Sequence, residues 1–304
     1  MINILLIFVY LISGWCAVKF NLLKPIFSAR LNFVVINICL PALTLLSLPK
    51  LEFSRDLWMP VSMAWMVFLL AIPFFLLGKK LLGFNNSTLG SLILCCGLLN
   101  SAFVGFPVMK ALYGEEGLSI AIVTDQAGSF LVLSTLGIFA AAFFSSGKAD
   151  IFAIAKKIFS FPPLWAFVIA VVMWNFKVQI PAPYSVLLSY IAMLLVPLAL
   201  FSVGLQLNIK PDLELKKEIA AGLLYKLVIA PIFVFCVFRF FEKDISLIMK
   251  VSSLQAAMGP MVSGSILAIT YNLNPKLSNT LVGIGIPISF ATIAFWYFIL
   301  EFVL

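Results

Sequence analysis

The sequence predicts an all-α polytopic membrane protein whose ten transmembrane helices form two inverted five-helix repeats, with broken, crossing helices 4 and 9. Three observations lead to this prediction: an apolar composition, ten apolar segments of spanning length, and short sequence matches at a nearly constant offset. Of the 304 residues, 63% are apolar and only 11% are charged, and the mean hydropathy is +1.16. Soluble domains are about half apolar and about a quarter charged, so a water-soluble fold is excluded.

The ten apolar segments account for most of the chain. A helix needs roughly 20 residues to cross an apolar slab of about 30 Å, so ten spans leave about 100 residues for connections and no room for a further soluble domain. Helices are expected because the alternating pattern of a membrane barrel is missing. The first segment lacks the basic start of a signal peptide, so it is predicted to be a span. The segments lie near residues 2–20, 28–48, 57–77, 88–112, 117–144, 161–178, 184–207, 218–240, 246–270 and 278–302.

The loop cations predict the orientation. Odd-numbered loops hold 12 lysines and arginines, even-numbered loops hold 7, and Lys226 falls within a span. The protein is predicted to lie in the cell membrane, that is, the inner or cytoplasmic membrane. The positive-inside rule then places the odd loops in the cytoplasm and both termini on the outer side of this membrane. The net charge of +8 is explained by these loops. No basic stripe carries interleaved aromatic residues, so no nucleic-acid partner is predicted.

The two halves of the chain resemble each other. Residues 40–43 (LPAL) match 196–199 (VPLA) at an offset of 156, and residues 91–94 (SLIL) match 246–249 (SLIM) at an offset of 155. Each half contains five spans, and an odd number forces the second half to enter the membrane inverted. Inverted repeats are typical of transporters, with the substrate site where the halves meet.

The repeat divides the chain into three parts. Residues 1–144 form the first five-helix repeat, 145–160 a short cytoplasmic linker, and 161–304 the second, inverted repeat.

The fourth and ninth spans are predicted to be broken. In the fourth, Pro107 cannot donate a backbone hydrogen bond and Gly105 loosens the same turn; in the ninth, Pro260 frees a carbonyl. Two half-helix N-termini, each worth about half a positive charge, would then meet at mid-membrane. Asn100 and Gln255 would add neutral amides there. The alternative is that both are ordinary proline kinks, which neighbouring helices satisfy.

These features define the candidate binding residues. Pro41 and Pro197 form a second matched pair of prolines, which we expect to kink helices packed beside the broken ones. The candidate substrate-binding residues are Asn100, Ser101, Pro107, Gln255, Gly259 and Pro260.

Two charged residues lie within spans. Asp125 is the one carboxylate well inside a span, and an ionised Asp at a helix centre costs roughly 2.5–3.5 kcal/mol on insertion scales. It is either a proton-coupling or gating group or a structural hydrogen-bond acceptor between helices. Lys226 lies near the cytoplasmic end of the eighth span. It either contacts an anion in the cytoplasmic vestibule or, as we favour, snorkels to the headgroups.

Catalysis is not predicted. The chain has no histidine, and its five cysteines lie within apolar segments, where they are expected to be small core residues. No metalloprotease motif, pair of intramembrane aspartates or phosphate-binding glycine loop is present. The prediction is a protein that is not an enzyme and has no metal site and no cofactor.

The residues around both breaks resemble those of the auxin efflux carrier family of permeases, which includes plant carriers and bacterial malate or malonate permease relatives. Residues 99–114 resemble that family's first crossover helix, and residues 255–260, continuing to 271–275, resemble the second. The resemblance implies a scaffold bundle, a transport bundle and external termini, and makes Asn100 a substrate-contacting candidate with Gln255 as its repeat partner. This chain departs from the plant carriers at two positions. It has Leu99 where they have the proline of the first crossover helix, and Gly259 where they have the proline of the second.

The resulting prediction is a secondary carrier that exports or exchanges a small organic anion by alternating access. The membrane potential, worth about 2.3 kcal/mol per charge per 100 mV, or protons through Asp125 would supply the energy. The alternatives are a passive anion channel and a sodium- or proton-coupled transporter of another metabolite. The expected partners are the anion and the lipid bilayer, with protons and a second copy in a homodimer left open.

Overall fold

A computed structural model of the chain describes residues 2–24, 26–50, 57–145, 159–207 and 213–303. This described part contains helices and turns and no strands, which confirms the all-α prediction. Most of the predicted linker, residues 146–158, lies outside the described residues. The loop cations outside them are Arg55, Lys148, Lys156, Lys157 and Lys210.

The helices follow the predicted apolar segments closely. In the first half they are α1 (Ile2–Lys19), α2 (Phe27–Lys50), α3 (Trp58–Leu82), α4 (Asn86–Cys96), α5 (Phe106–Val123) and α6 (Ile138–Ser145). In the second half they are α7 (Pro162–Asn175), α8 (Ala182–Gln206), α9 (Lys216–Phe241), α10 (Leu247–Ala256), α11 (Val262–Thr270) and α12 (Pro275–Phe298).

Within the described residues, six helical stretches are long and apolar enough to cross a membrane, and one of them is far too long for a single crossing. Asn86–Ser145 has 60 residues, which as a straight helix would extend about 90 Å, or about three bilayer cores. It is interrupted at residues 97–100 and again at Gly114, whose φ of 66° and ψ of −151° lie outside the helical region. Glycine tolerates this conformation because it has no Cβ. The chain therefore folds back on itself, and α4 packs against α6.

The helices form two bundles. In the first, α1 packs along α8, and α2 packs against α7 and α8. At the α1–α8 contact, a Cβ on Gly204 would lie 2.2 Å from the Leu11 carbonyl oxygen, which shows how closely the two backbones approach. In the second bundle, α3, α4, α6 and α9–α12 enclose a large apolar core.

The two prolines of the matched pair lie beside interruptions in regular α-helix. Pro41 follows a π-helical turn at Val35–Cys39, and Pro197 follows a turn at Leu194. A proline ring displaces the carbonyl four residues earlier, so both interruptions lie where the ring removes a helical hydrogen bond.

Candidate functional site

The first break begins earlier in the chain than the sequence predicted. We expected it at Gly105 and Pro107, but helix α4 ends at Cys96 and the non-helical residues are 97–100. Pro107 instead lies six residues inside the half-helix that begins at Ser101, so it does not mark the break. A π-helical turn at Ser101–Gly105 leads into α5, so the second half-helix begins at Ser101.

The second break lies where the sequence predicted it. Helix α10 ends at Ala256 and α11 begins at Val262, with Pro260 between them. Gly259 packs tightly here: a Cβ at this position would lie 3.0 Å from the Cα of Ile286 on helix α12. The break therefore rests directly on the last helix of its own half.

The two breaks contact each other through hydrogen bonds in both directions. The side-chain Nδ2 of Asn100 donates to the Pro260 carbonyl oxygen at 3.1 Å, and the Met261 backbone N–H donates to the Cys95 carbonyl oxygen at 2.8 Å. The hydroxyl of Ser129 donates to a third carbonyl, that of Leu99, at 3.3 Å. Backbone groups released by one broken helix are thus satisfied by the other or by a neighbouring helix, as an apolar environment requires.

Gln255 lies against the first half-helix but does not occupy the position that matches Asn100. Its side chain is fully buried, and neither its Oε1 nor its Nε2 has a hydrogen-bond partner among the described residues. The amide packs on Gly105, where a Cβ would lie 2.3 Å from Oε1. Asn100 is the last residue of its break, whereas Gln255 precedes its own break.

The offset between the breaks therefore differs from the sequence offset. The last residues of the half-helices α4 and α10, Cys96 and Ala256, are 160 positions apart. The sequence offset of 155 paired Asn100 with Gln255, so it is not the offset that relates the two breaks.

Asp125 is joined to the first break by hydrogen bonds. It lies in a π-helical turn, Thr124–Phe130, with only 4% of its surface exposed. Its carboxylate accepts hydrogen bonds from the Ser101 hydroxyl and from Gln126 Nε2, the latter at 2.7 Å. The Oε1 atom of Gln126 has no partner in the described part. One predicted site residue, Ser101, thus contacts the predicted coupling residue.

A cavity of about 40 Å³ lies at the crossing, between the two bundles. Ile36 and Leu40 of α2 line it on one side, and Phe161 lies just before α7. The polar lining comes from the broken helices and the π-helical turn: Asn100, Asp125, Gln126 and Ser263. This volume is too small for an organic anion.

Lys226 does not snorkel to the membrane surface as we expected. It is 0% exposed, lies in a π-helical turn at Tyr225–Ile229, and its Nζ has no hydrogen-bond partner within the described residues. One turn earlier on the same helix, a Cβ on Gly222 would lie 3.1 Å from the Cys96 Sγ at the end of α4. The neighbouring Tyr225 hydroxyl bonds to the Val67 carbonyl, which fixes this turn against α3. Lys226 therefore faces the protein interior, behind the first break.

Two further polar features were missed by the sequence analysis. Ser252 and Ser253 of α10 are fully buried, and their hydroxyls have no partner in the described ranges. Glu301 accepts hydrogen bonds from Lys250 at 2.7 Å and from Tyr113 at 2.8 Å, and so links the end of the chain to both broken helices. The pair of adjacent serines in an apolar span was a visible signal, whereas nothing in the sequence relates Tyr113 to Glu301.

These features define a multi-pass membrane protein with two broken helices that meet at its centre, and comparison with known proteins agrees. Residues 1–297 match the model of the family described as "Membrane transport protein". The chain belongs to this family, which is the auxin efflux carrier family that its sequence resembles.

The relatives are transporters. An uncharacterized transporter of Methanocaldococcus jannaschii is 30% identical, with 98% of this chain and 97% of the relative covered. One of Methanothermobacter thermautotrophicus is 27% identical over the same shares. The uncharacterized transporter YfdV of Escherichia coli K12 is 24% identical over 88% of this chain and 87% of the relative.

Proposed function

We propose that this protein is a secondary active transporter that exports or exchanges a small organic anion, such as a carboxylate, by alternating access. The observation that carries the proposal is the contact between the two breaks, which brings the N-termini at Ser101 and Val262 to one crossing. The first N–H groups of a helix lack intrahelical acceptors and carry about half a positive charge. Two such ends provide an anion site without any cationic side chain.

The candidate residues have distinct roles in this proposal. The unpartnered Nε2 of Gln255 can donate to a carboxylate. Asn100 holds the two breaks together through Pro260, and Ser101 links the site to Asp125. Gly259 allows the second break to approach α12, and Pro107, inside the half-helix that begins at Ser101, leaves a carbonyl of the preceding turn without its helical donor. Lys226 would supply a positive charge behind the site in its protonated form.

The small size of the cavity supports a mechanism in which the bundles move. Its walls come from both bundles, and its volume of about 40 Å³ is too small for a carboxylic acid. Relative movement of the bundles would open the crossing toward one side of the membrane at a time. This architecture rests on ten spans in two inverted repeats, 1–144 and 161–304, with both termini outside. The last residues of the half-helices α4 and α10 are 160 positions apart along the chain, which is consistent with such a repeat.

The proposal is tested by charge movement in proteoliposomes of the purified protein, with a panel of mono- and dicarboxylates. We expect saturable currents for some of these acids, and loss of the currents in Asn100→Ala. The matched control is Gln179→Ala, which removes an exposed amide away from the crossing.

A second measurement separates a carrier from a channel. A carrier exchanges labelled substrate against unlabelled substrate with saturation, whereas a passive pore shows no counterflow. If no acid produces either current or isotope exchange, the organic-anion proposal is wrong.

A further inference from the structure

The small cavity at the crossing is lined by a carboxylate and by two amide oxygens that have no hydrogen-bond partner among the described residues. We propose that it binds one dehydrated monovalent metal cation, of which sodium is the probe we choose, through Asp125, Asn100, Gln126 and Ser263. All four residues line the cavity. The inference deepens the proposed function, because it names a coupling ion for the same crossing.

The hydrogen bonds of the two amides determine which atoms are available to a ligand. Asn100 uses its Nδ2 on the Pro260 carbonyl, and Gln126 uses its Nε2 on Asp125. The atoms left buried without a partner are Asn100 Oδ1 and Gln126 Oε1. A buried oxygen without a partner costs about 1–3 kcal/mol, so each needs a donor or a cation. Each amide nitrogen already has one acceptor, whereas neither amide oxygen has any donor, so the atoms without a partner favour a positive ligand.

The charge of the cavity also favours a cation as its ligand. Asp125 is the carboxylate of the cavity, and its hydrogen-bond donors are the neutral Ser101 and Gln126. None of the ion pairs in the described part involves it. A buried carboxylate without a counter-charge is strongly unfavourable. One monovalent cation neutralises it, whereas a divalent ion would leave a net positive charge in an apolar interior.

The size and walls of the cavity fit a dehydrated ion. About 40 Å³ holds one ion with at most one water, and not a fully hydrated ion. The remaining walls are apolar, with Phe103, Phe130 and Leu133 around the oxygens. Hard cations prefer oxygen ligands, and the cavity offers carboxylate, amide and hydroxyl oxygens.

Neutralisation of Asp125 has a consequence for transport. An ionised carboxylate next to the half-helix N-termini repels an anionic substrate, and a bound cation removes this repulsion. If the proposed function holds, cation and anion would therefore bind together and move together.

The test is thermal unfolding of the purified full chain in detergent, in sodium chloride and in choline chloride at equal ionic strength, without any organic anion. We expect the unfolding temperature to rise with sodium to saturation and not to rise with choline. The rise should be absent in Asp125→Asn and should need more sodium in Ser263→Ala. Asp244→Asn, which changes an exposed carboxylate in a loop, is the matched control and should respond like the wild type.

Two results would overturn the cation site. The first is equal stability in sodium and choline, which would mean that water alone fills the cavity. The second is an unchanged response to sodium in Asp125→Asn. If that variant does not fold, binding of radioactive sodium to the wild type decides, and failure of unlabelled sodium to displace the label rejects the proposal. Because these assays contain no organic anion, they are independent of the proposed function. Sodium binding without carboxylate transport would reject the carrier, and carboxylate transport without sodium binding would reject the cation site.

Discussion

Gly105 is the position where one methyl group tests the packing of the crossing most directly. A Cβ there would lie 2.3 Å from Oε1 and 2.8 Å from Nε2 of Gln255, closer than any non-bonded contact permits. Gln255 is 0% exposed, so its amide must be displaced into neighbouring side chains. Overpacking of this kind costs about 1–3 kcal/mol.

The same substitution has an opposite, smaller effect on the helix itself. Alanine is favoured over glycine in helices by about 0.5–1 kcal/mol. We therefore expect Gly105→Ala to destabilise the protein by up to about 2 kcal/mol when Gln255 is present. In a Gln255→Ala background the collision is gone, and Gly105→Ala should stabilise by up to about 1 kcal/mol.

A double-mutant cycle measures this change of sign. Apparent unfolding temperatures of wild type, both single variants and the double variant are compared in detergent, and about 1 kcal/mol corresponds to roughly 2–4 °C for a chain somewhat shorter than this one. Contacting residues usually show coupling of about 0.5–3 kcal/mol. Gly117→Ala is unsuitable as a control because a Cβ there would also collide, whereas Gly137→Ala meets only ordinary contacts of 3.4 Å or more. If Gly105→Ala has the same effect in both backgrounds, the packing of Gln255 on Gly105 is refuted.

Three further predictions concern other parts of the structure. Lys226→Met should raise the unfolding temperature, because it removes a fully buried amino group that has no described hydrogen-bond partner. The same change should lower anion transport. The control is Lys217→Met, on the exposed start of the same helix, which should change neither the unfolding temperature nor transport. Lys250→Met should lower the unfolding temperature more than Lys110→Met, because the ion pair of Lys250 with Glu301 is less exposed to water. Its side chains are 22% and 21% exposed, whereas those of Lys110 and Glu115 are 46% and 73% exposed. Equal shifts for the two variants would contradict a stabilising role of the Lys250–Glu301 pair. Gly204→Ala should separate α1 from α8 and reduce the yield of folded protein in size-exclusion chromatography, and wild-type yield would show that this contact is loose.

The sequence predicted the helical class, the approximate limits of the apolar segments and the presence of two broken helices. These features follow from local chemistry, since hydropathy and length decide what can cross a membrane, and prolines and glycines interrupt a helix wherever they lie. The second break was found at Pro260 because that proline is inside the non-helical stretch. The first was placed too late because the non-helical residues 97–100 contain no proline, and Pro107 lies inside the half-helix that begins at Ser101.

The orientation of side chains could not be predicted in the same way. We expected Lys226 to snorkel, because sequence position alone placed it near the end of a span. In the structure its side chain faces the interior, since the turn of the helix around Tyr225 directs it behind α4 rather than toward the surface.

The sequence by itself thus determined that this protein lies in a membrane, that it is built from helices and that two of them are interrupted. Only the tertiary structure decided that the two interruptions touch, through Asn100 and Pro260, and that Asp125 lies beside them. Hydropathy acts along the chain and needs no partner. The hydrogen bond between Asn100 and Pro260 joins residues 160 positions apart, and it forms because buried backbone and amide groups find their partners only after the broken helices have packed together.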